Sequence, residues 1–298
     1  MNPKVTVVVL NYNQLSETSK CLKSLGALSY PSFDMIVVDN GSRENPQEVL
    51  KDHFQKVHWI LLRENVGFAA GCNQGIGWAL SHGAEAILLL NNDTRVSADL
   101  LDKMVESAFL DPRTGVVGGV VYRAENLDRP FLAGMRFDFF RARIVRLLPK
   151  KKKETVPSVS GSCLLVKKEV FEKIGLLDER FFIYFEETDF CYRAREADFG
   201  VLYDPRVTIQ HEEGLTFGRE SATTRYFHTR NRLLFISKHA PLWIRPWSVL
   251  ARTAQDMLLL FLFLLKGRGE MSRAVLFGLL DYGKGQFGKG RLEAFFRG

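Results

Sequence analysis

The sequence of 298 residues lacks the cysteine patterns that mark several classes of protein. It has only four cysteines, Cys21, Cys72, Cys163 and Cys191, and none of them forms a C-x-x-C pair. A zinc site or a disulfide framework needs cysteines at short, recurring spacings. The cysteine content therefore indicates neither kind of site and suits a reducing compartment.

Two N-terminal signatures are also missing. The chain runs within a few residues into the strand-like segment Val5–Leu10, which leaves no room for the basic and apolar regions of a signal peptide. No G-x-G-x-x-G follows this segment, although a dinucleotide-dependent oxidoreductase would need one there. The sequence thus disfavours secretion through such a peptide and disfavours dehydrogenase chemistry.

The chain has no apolar run as long as the roughly 20 residues that a bilayer span needs. The segment Met257–Leu265 has nine apolar residues and is closed by Asp256 and Lys266. Because Trp243 and Trp247 precede it, the pattern favours a helix that lies in the membrane interface. The alternative is an apolar helix packed on the domain or in a homodimer.

Positive charge is concentrated in the C-terminal part. Residues 214–298 contain 14 Lys/Arg against 5 Asp/Glu, a net charge of +9, whereas residues 1–213 contain 27 against 29, a net charge of −2. The main body is therefore not a polyanion binder by composition. Since the basic part has no RNA- or DNA-binding motif, we expect no nucleic-acid partner.

Short apolar strands that end in Asn or Asp recur in the N-terminal third. Val5–Leu10 stops at Asn11, and Asp34–Val38 stops at Asp39. Between them an amphipathic helix is predicted over Ser16–Leu28, with its first residue, a serine, as the N-cap. This order of strand, helix and strand predicts an α/β fold.

A further strand is predicted at Ile87–Leu90, four apolar residues that suit burial on both faces. The sequence N-N-D-T follows at positions 91–94, so a polar group stands at the C-terminal end of a strand, where open α/β sheets bind ligands. Asp93 could hold a divalent ion against phosphate oxygens. Ordinary turn chemistry is the alternative interpretation.

Glycines are frequent in the helix that must precede this strand. Gly71, Gly75 and Gly77 each cost about 1 kcal/mol relative to alanine in a helix interior. Their spacing predicts that something approaches the helix closely. Packing of the helix on the sheet and contact with a ligand both remain open.

The pattern is looser in the second half. From Arg123 to Pro157 no regular periodicity appears, and the run Lys150–Lys153 is interpreted as a solvated loop. A helix is predicted over Glu186–Ala197. Two short strands, Val201–Tyr203 and Val207–Gln210, are expected after it.

Six segments carry a resemblance to a known family. In chain order they are V-V-V-L-N-Y-N, V-V-D-N-G-S, E-N-V-G-F-A-A-G-C-N-Q-G-I, L-L-L-N-N-D-T, S-G-S-C-L-L-V and F-E-E-T-D-F-C-Y-R-A-R. Together they resemble family 2 glycosyltransferases of the GT-A fold, particularly the rhamnosyltransferase-like and galactofuranosyltransferase-like branch. The resemblance covers roughly residues 4–240.

The resemblance implies an α/β GT-A domain over residues 1–213, Rossmann-like, with a mostly parallel sheet flanked by helices. Its nucleotide-binding half would be about 1–122 and its acceptor half about 157–213. A basic helical region, 214–298, would follow and associate with membranes or form a homodimer.

The implied activity is inverting transfer of a sugar, with rhamnose among the candidates. The donor would be a dTDP- or UDP-linked sugar, and the acceptor a hydroxyl of a lipid-linked or polysaccharide chain in cell-envelope glycan synthesis. The enzyme would work in the cytoplasm, as a peripheral protein on the inner face of the membrane. A catalytically silent, membrane-bound scaffold is the alternative.

Carried over by position, the resemblance places five residues in the nucleotide-sugar site. Tyr12 would contact the ring of the nucleobase, Asp39 would accept a base N–H, and Asn65 would line the same pocket. Asn92 and Asp93 would complete the site. Positions 91–93 read N-N-D where the family has D-x-D, so two usual carboxylates are amides here.

The resemblance also implies a bound Mg²⁺ or Mn²⁺, ligated by Asp93 and completed by His211. A lone histidine is more often structural, which remains the alternative. Arg230 or Arg232 could reach the donor diphosphate.

Glu187 would be the general base at the start of the Glu186–Ala197 helix. Glu186 and Asp189 compete for this role, but Glu187 and Asp189 lie about 200° apart on a helix, so both cannot face the acceptor. The helix dipole is expected to keep the base ionised.

Overall fold

The structure is a computed structural model that describes residues 2–123, 126–211, 221–291 and 293, with backbone alone for 126–129. Its strands are β1 (Val5–Asn11), β2 (Phe33–Asp39), β3 (Val57–Leu61), β4 (Ala86–Asn91), β5 (Thr94–Val96), β6 (Thr114–Arg123), β7 (Asn126–Leu132), β8 (Gly134–Asp138), β9 (Arg143–Leu147), β10 (Glu154–Thr155), β11 (Cys163–Lys167) and β12 (Gly200–His211). Its helices are α1 (Leu15–Leu25), α2 (Pro46–Leu50), α3 (Phe68–Ser81), α4 (Leu100–Leu110), α5 (Lys168–Ile174), α6 (Glu186–Glu196), α7 (Ala222–His239), α8 (Arg245–Leu265) and α9 (Gly269–Gly283). The expected domain boundary at residues 213 and 214 lies outside the described residues.

Ten of these strands form one sheet, with the order β10-β12-β6-β11-β4-β1-β2-β3 along its main path. Strand β5 pairs with β12, and β7 pairs with β6. The pairs β1–β2, β1–β4, β2–β3 and β6–β12 are parallel, whereas β11 runs antiparallel to β4 and β6. The expected α/β sheet flanked by helices is confirmed, and β11 is a central antiparallel strand within it.

Strand β4 lies between β1 and β11 and is buried on both faces, as predicted. Leu88 and Leu90 pack into an apolar cluster with α1 and α4, and Ile87 and Leu89 pack into a second cluster with α3. Successive side chains of a strand point to opposite faces, so four consecutive apolar residues serve both layers. The polar segment that follows is thereby held at the edge of a rigid core.

The glycines of α3 allow the helix to approach the sheet. A Cβ on Gly71 would stand 2.6 Å from Leu10 Cδ1, and a Cβ on Gly75 would stand 2.4 Å from Val8 Cγ1. Gly77 faces open space. Of the two interpretations left open by the sequence, helix-on-sheet packing therefore accounts for Gly71 and Gly75.

Two local predictions were wrong, and one segment without a prediction has regular structure. Helix α1 is capped by Gln14, without a side-chain hydrogen bond, so Ser16 is not the N-cap. The segment 123–157, where the pattern loosens, contains strands β7 to β10: β7 pairs with β6, β8 with β9, and β10 with β12. The two short strands after α6 are one strand, β12, with an irregular register between Tyr203 and Thr208.

The lysine run is only partly solvated. Lys150, Lys151 and Lys152 are exposed, as expected. Lys153 instead donates to Ser107 Oγ at 2.9 Å and lies 3.4 Å from the buried carboxylate of Asp204. The run therefore includes one lysine that neutralises a buried charge.

The C-terminal helices pack on each other, and α8 extends well beyond the predicted apolar run. Residues of α8 that face the protein include the ion pair Arg252–Asp256. Its other face exposes large apolar side chains: Trp247, Leu250, Met257, Leu258, Phe261, Leu262, Leu264 and Leu265. Among the described residues α8 is the one helix whose length and composition would allow it to cross a membrane, and 28% of its most apolar 18-residue window is buried.

Candidate active site

The polar residues that end three neighbouring strands come together at one edge of the sheet. In the parallel register Asn11 of β1 stands beside Asp39 of β2, and Leu10 stands beside Asn91 of β4. Strands β2 and β3 extend from one side of β1, and β4 lies on its other side. Such a point of divergence leaves a crevice at the carboxyl ends of the strands, where ligands bind in open α/β sheets.

Asp39 is buried and fixed by two neighbours. Its Oδ1 accepts hydrogen bonds from Asn11 Nδ2 at 2.7 Å and from Ser42 Oγ at 2.6 Å, and its Oδ2 accepts one from Ser42 N at 3.0 Å. Because a carboxylate oxygen can accept more than one bond, Oδ2 keeps capacity for an N–H of a ligand. Tyr12, half-buried, follows Asn11 directly.

Asn65 lies in the loop before α3, which is held near the end of β2. Its Oδ1 accepts hydrogen bonds from Asn40 Nδ2 at 3.1 Å and from Gly67 N at 2.9 Å. Asn40 Oδ1 in turn accepts one from Val66 N at 3.0 Å. Asn40, the residue after Asp39, therefore ties the loop that carries Asn65 to the end of β2.

Asn92 has a buried side chain that joins two elements. Its Nδ2 donates to Thr18 Oγ1 of α1 at 2.9 Å, and Thr18 Oγ1 donates to Asn11 Oδ1 at 2.7 Å. The amide thus positions the ends of β1 and β4 relative to α1. Direct contact between Asn92 and a nucleotide sugar stays a prediction.

Asp93 and His211 lie together because β12 pairs with β5. In this antiparallel register His211 is the partner of Thr94, the residue after Asp93. His211 Nε2 is 3.0 Å from Asp93 Oδ1 and 3.2 Å from Asn91 Nδ2. The sequence alone could not fix this approach, since it depends on pairing between residues more than 100 positions apart.

Two buried oxygens of this group, Asn91 Oδ1 and Asp93 Oδ1, accept no hydrogen bond from the described residues. His211 Nε2 lies 3.0 Å from Asp93 Oδ1 without forming a hydrogen bond to it. Buried acceptors without donors cost free energy, whereas carboxylate, amide and imidazole ligands together suit a divalent cation. Within the described ranges no group of three His, Cys, Asp or Glu side chains could hold a metal ion. From these residue types the site therefore offers two protein ligands, Asp93 and His211.

The start of α6 lies across one turn from this group. A Cβ on Gly161 would stand 2.9 Å from Glu187 Cγ. The next residue, Ser162, accepts a hydrogen bond at its carbonyl oxygen from Asn91 N at 3.1 Å. The turn at residues 160–162 therefore contacts both Glu187 and the end of β4.

Both glutamates at this helix start have raised pKa values. Burial, reinforced by the charges of Glu187 and Asp189, raises the pKa of Glu186 well above its ordinary value. Burial also raises the pKa of Glu187, against hydrogen bonds from backbone N–H groups and from Thr188. Removal of the Glu187 carboxylate from water outweighs its favourable position at the helix N-terminus, so its pKa is raised. Its ionisation at neutral pH stays a prediction.

Asp189 is paired with basic side chains, two of which belong to the neighbouring helix α7. Burial alone would raise its pKa, but a hydrogen bond from His239 and the charges of Lys238 and Arg193 lower it. Asp189 Oδ1 lies 2.8 Å from His239 Nε2, and Asp189 Oδ2 accepts from Arg193 Nε at 2.8 Å. Asp189 thus anchors α6 to the end of α7, which leaves Glu187 and Glu186 as the less engaged carboxylates.

The turn before α6 has an unusual backbone. Phe182, Tyr184 and Phe185 have φ values of 64°, 67° and 78°, a region that side-chain-bearing residues seldom adopt. Asn231 of α7 holds this turn, because its Nδ2 lies 2.7 Å, 2.8 Å and 3.0 Å from the carbonyl oxygens of Phe181, Ile183 and Tyr184. Asn231 was not singled out from the sequence, since its partners lie about 50 residues earlier.

Arg230 has a similar structural role. It is fully buried, and its guanidinium donates to Tyr226 Oη, to Asn231 Oδ1 and to the carbonyl oxygens of Arg180 and Phe181. The suggestion that Arg230 reaches the donor diphosphate was therefore wrong. The hydrogen bonds of its guanidinium are made to the turn before α6 and to its neighbours in α7.

Comparison with known proteins is consistent with this geometry. The family model for glycosyl transferase family 2 matches residues 6–175, more than half of the chain. The dTDP-rhamnosyl transferase RfbF of Shigella flexneri is 27% identical over 307 residues, covering 99% of this chain and 100% of that protein. The N-acetylglucosaminyl-diphospho-decaprenol L-rhamnosyltransferase of Mycobacterium tuberculosis is 24% identical over 278 residues, covering 84% and 90%.

Solved structures share the fold. The mannosyltransferase PcManGT from Pyrobaculum calidifontis, in complex with GDP-Man and Mn²⁺, superimposes with a TM-score of 0.62 at 17% identity, covering 95% of this chain and 87% of that one. GalNAc-T7 with UDP, GalNAc and Mn²⁺ gives a TM-score of 0.58 at 16% identity, covering 72% and 44%. These likenesses confirm the expected GT-A architecture, and with the family match they show that the chain belongs to glycosyl transferase family 2.

Proposed function

We propose that the chain transfers rhamnose from dTDP-rhamnose to a hydroxyl of a lipid-linked glycan, with inversion at the sugar carbon. The observation that supports the proposal is that the turn at residues 160–162 contacts both groups: Ser162 is hydrogen-bonded to Asn91, which lies beside His211, and Gly161 lies against Glu187. Inverting displacement needs the leaving diphosphate and the attacking hydroxyl on opposite faces of the sugar. The sugar itself is suggested by the rhamnosyltransferase names of the two relatives.

The nucleotide would bind at the ends of β1 and β2. Asp39 would accept a base N–H at Oδ2, Tyr12 would contact the ring, and Asn65 would close the pocket from the loop before α3. The hydrogen bonds that hold Asp39 and Asn65 restrict both side chains to one orientation. Preorganised polar groups of this kind provide specificity without further ordering on binding.

Asp93 and His211 would hold Mg²⁺ or Mn²⁺, with Asn91 Oδ1 close by. Both solved relatives contain Mn²⁺ by their descriptions. The bound ion would neutralise charge that develops on the departing diphosphate. Asp93 Oδ1 and Asn91 Oδ1 accept no hydrogen bond from the described residues, which supports this assignment.

Glu187 would accept the proton of the acceptor hydroxyl as that oxygen attacks the sugar carbon. A base works best when its pKa lies near the working pH, and the burial that raises the pKa of Glu187 acts in that direction. The pKa of the neighbouring Glu186 is raised further by burial and by the charge of Glu187, which favours its protonated form. General-base assistance of this kind contributes about 10²–10⁴-fold to the rate.

Residues 1–213 would form the catalytic domain, with donor residues in about 1–122 and acceptor residues in about 157–213. Residues 214–298 would hold this domain at the cytoplasmic face of an anionic membrane. The exposed apolar face of α8 continues into Leu242 and Trp243, which are 78% and 81% exposed. Exposed Lys266 and Arg268 follow the helix. An apolar face next to basic residues suits a helix lying in the headgroup region.

The central test is transfer by the purified protein with a panel of nucleotide sugars, Mn²⁺ and a lipid-linked acceptor. We expect release of dTDP from dTDP-rhamnose and formation of a larger glycolipid. If no donor is consumed while nucleotides still bind, the chain is a silent scaffold instead.

A second test addresses the membrane. The double variant Trp243→Ser and Leu265→Ser should sediment less with anionic liposomes than the parent protein. Loss of a dimer in analytical ultracentrifugation, with liposome binding unchanged, would assign this face to a homodimer.

A further inference from the structure

Three basic residues lie along one face of α7, and a fourth comes from α8. Arg225, His228 and Arg232 follow each other at spacings of three and four, which places them on the same side of the helix. Arg252 of α8 acts electrostatically on both His228 and Arg232, so it lies close to them. These four residues are called the basic cluster below.

Among the described residues, the charges that act on Arg232 are two arginines, Arg252 and Arg225, and one carboxylate, Asp256. Asp256 acts on Arg232 from α8, but it already forms an ion pair with Arg252, with Arg252 Nε 2.6 Å from Asp256 Oδ2. Arg232 Nε and His228 Nδ1 are buried and have no hydrogen-bond partner among the described residues. Arg232 therefore presents a charge and a donor that this part of the protein does not satisfy.

The proximity of these arginines has an energetic consequence. Burial, with the charges of Arg232, Arg225 and Arg252, lowers the pKa of His228 to about 3. Burial and Arg252 lower the pKa of Arg232 to about 10, although Asp256 opposes them. Gathering like charges away from water costs free energy, and a bound anion would offset that cost.

The position of the cluster identifies the anion. The Tyr184 ring stacks on the His228 ring at 4.5 Å between centroids, and Tyr184 lies two residues before Glu186 in the acidic start of α6. On the other side, the Arg225 guanidinium lies 5.6 Å from the centroid of the Phe263 ring of α8. The cluster thus lies between the proposed base and the helix with the exposed apolar face.

We propose that the basic cluster binds the phosphate groups of a lipid-linked acceptor, with Arg232 as a direct ligand. The inference rests on the proposed function and extends it to the acceptor. A lipid diphosphate sugar has its reacting hydroxyl, its phosphates and its apolar chain in that order. The protein offers Glu187, the basic cluster and helix α8 in the same order, with the cluster against the buried side of α8 and the apolar side chains on its other side. An arginine suits this role because its planar guanidinium can donate two hydrogen bonds to one phosphate.

The first experiment measures binding without sugar transfer, so that it is independent of the proposed activity. A prenyl diphosphate and the matching prenyl alcohol are titrated into the full-length protein by calorimetry, with EDTA present to keep metal from the Asp93–His211 pair. The variants are Arg232→Gln, Arg232→Lys and, as a control for surface charge, Arg273→Gln on the exposed side of α9.

We expect the parent protein and Arg273→Gln to bind the diphosphate more tightly than the alcohol. Arg232→Gln should lose about tenfold or more in affinity for the diphosphate and none for the alcohol, with Arg232→Lys in between. Equal affinity of the parent for both ligands, or unchanged binding by Arg232→Gln, would overturn the proposal. Equal losses in Arg232→Gln and Arg273→Gln would assign the effect to general surface charge instead.

Displacement separates the two possible sources of a diphosphate. If dTDP in EDTA competes with the prenyl diphosphate and Arg232→Gln weakens both, the cluster serves the donor and the proposal fails. Thermal unfolding of Arg232→Gln provides the check on folding, and we expect its Tm to equal or exceed that of the parent, because a poorly paired buried charge is removed.

Steady-state transfer supplies the functional readout. With a diphosphate-linked acceptor, Arg232→Gln should raise the KM for the acceptor about tenfold and leave the KM for the donor unchanged. With the same sugar on a neutral alkyl chain the variant should match the parent. Equal effects on both acceptors would show a merely structural role. Absence of transfer by the parent, with the binding difference intact, would refute the proposed reaction and not the phosphate site.

Discussion

Gly161 lies against the side chain of Glu187 so closely that a methyl group at Gly161 would stand 2.9 Å from Glu187 Cγ and 3.0 Å from its Cβ. Gly161→Ala should therefore displace the proposed base while leaving the donor residues in place. A small displacement of a reacting group can cost about 10²-fold, so we expect kcat to fall about tenfold to a hundredfold with little change in donor KM. Steady-state kinetics with varied donor would measure both.

Gly77→Ala is the matched control. Gly77 is exposed in the interior of α3, and a Cβ there would meet nothing within 4 Å. This change should raise the free energy of unfolding by up to about 1 kcal/mol and leave transfer unchanged. If Gly161→Ala keeps the parental kcat, Glu187 does not need its present position for the reaction.

The pair formed by Asp93 and His211 predicts metal-dependent nucleotide binding. Asp93→Asn removes the charge, and His211→Ala removes the second ligand, so each should lower the affinity for dTDP in Mn²⁺ about tenfold or more while affinity in EDTA stays the same. Calorimetry with and without Mn²⁺ would measure this difference. Asp52→Asn, an exposed carboxylate far along the chain, is the control. Equal Mn²⁺ dependence in Asp93→Asn and the parent would place the ion elsewhere.

Glu187 as base predicts both a mutant rate and a pH dependence. Glu187→Gln should reduce kcat about 10²–10⁴-fold and spare donor binding. Because burial raises the pKa of Glu187 and the ionised form is the active one, the rate of the parent should fall towards acidic pH with a midpoint above 4.5. Glu186→Gln and Asp189→Asn decide the assignment. The base is the residue whose substitution abolishes transfer without unfolding the protein.

Local sequence was enough to locate the donor edge of the sheet. Asn11, Asp39 and Asn91 end apolar strands, and strand ends are visible as a change from apolar to polar residues. Parallel strands then bring these residues to one edge without further information. The same reasoning located Asp93.

Long-range pairing set the remaining features. The sequence pattern loosens over residues 123–157, where the structure has strands β7 to β10, and the last of these, β10, pairs with the distant strand β12. The raised pKa of Glu187 follows from burial by the turn at Gly161, which no pattern near Glu187 indicates. The link from Asn231 to the turn before α6 likewise joins two separate segments.

Asn231→Ala should uncouple that turn from α7. Nδ2 of Asn231 faces three carbonyl oxygens, and loss of a buried donor costs roughly 1–3 kcal/mol, so we expect a fall of that size in the free energy of unfolding. The turn leads directly into Glu186 and Glu187, so kcat should fall as well. Asn45→Ala, which removes the N-cap of α2, should cost about 1 kcal/mol and leave kcat unchanged. Equal kcat in both variants, each fully folded at the assay temperature, would show that the turn does not position the base.

Glu186 predicts a pH-dependent stability. Its pKa in the folded protein is raised well above 4.5 by burial, so at a pH between the two pKa values the folded state keeps a proton that the unfolded state releases. Stability contributed by this proton is present below about pH 4.5 and is lost as pH rises through the window up to the folded pKa, by about 1.4 kcal/mol per pH unit. Glu186→Gln cannot ionise, so its stability relative to the parent should increase with pH across that window. Urea unfolding from pH 5 to pH 8 would show the difference, with the exposed Glu169→Gln as a control that should follow the parent at every pH. A constant difference between Glu186→Gln and the parent would mean that Glu186 is ionised in the folded protein, and the neutral neighbour assigned to Glu187 would then be wrong.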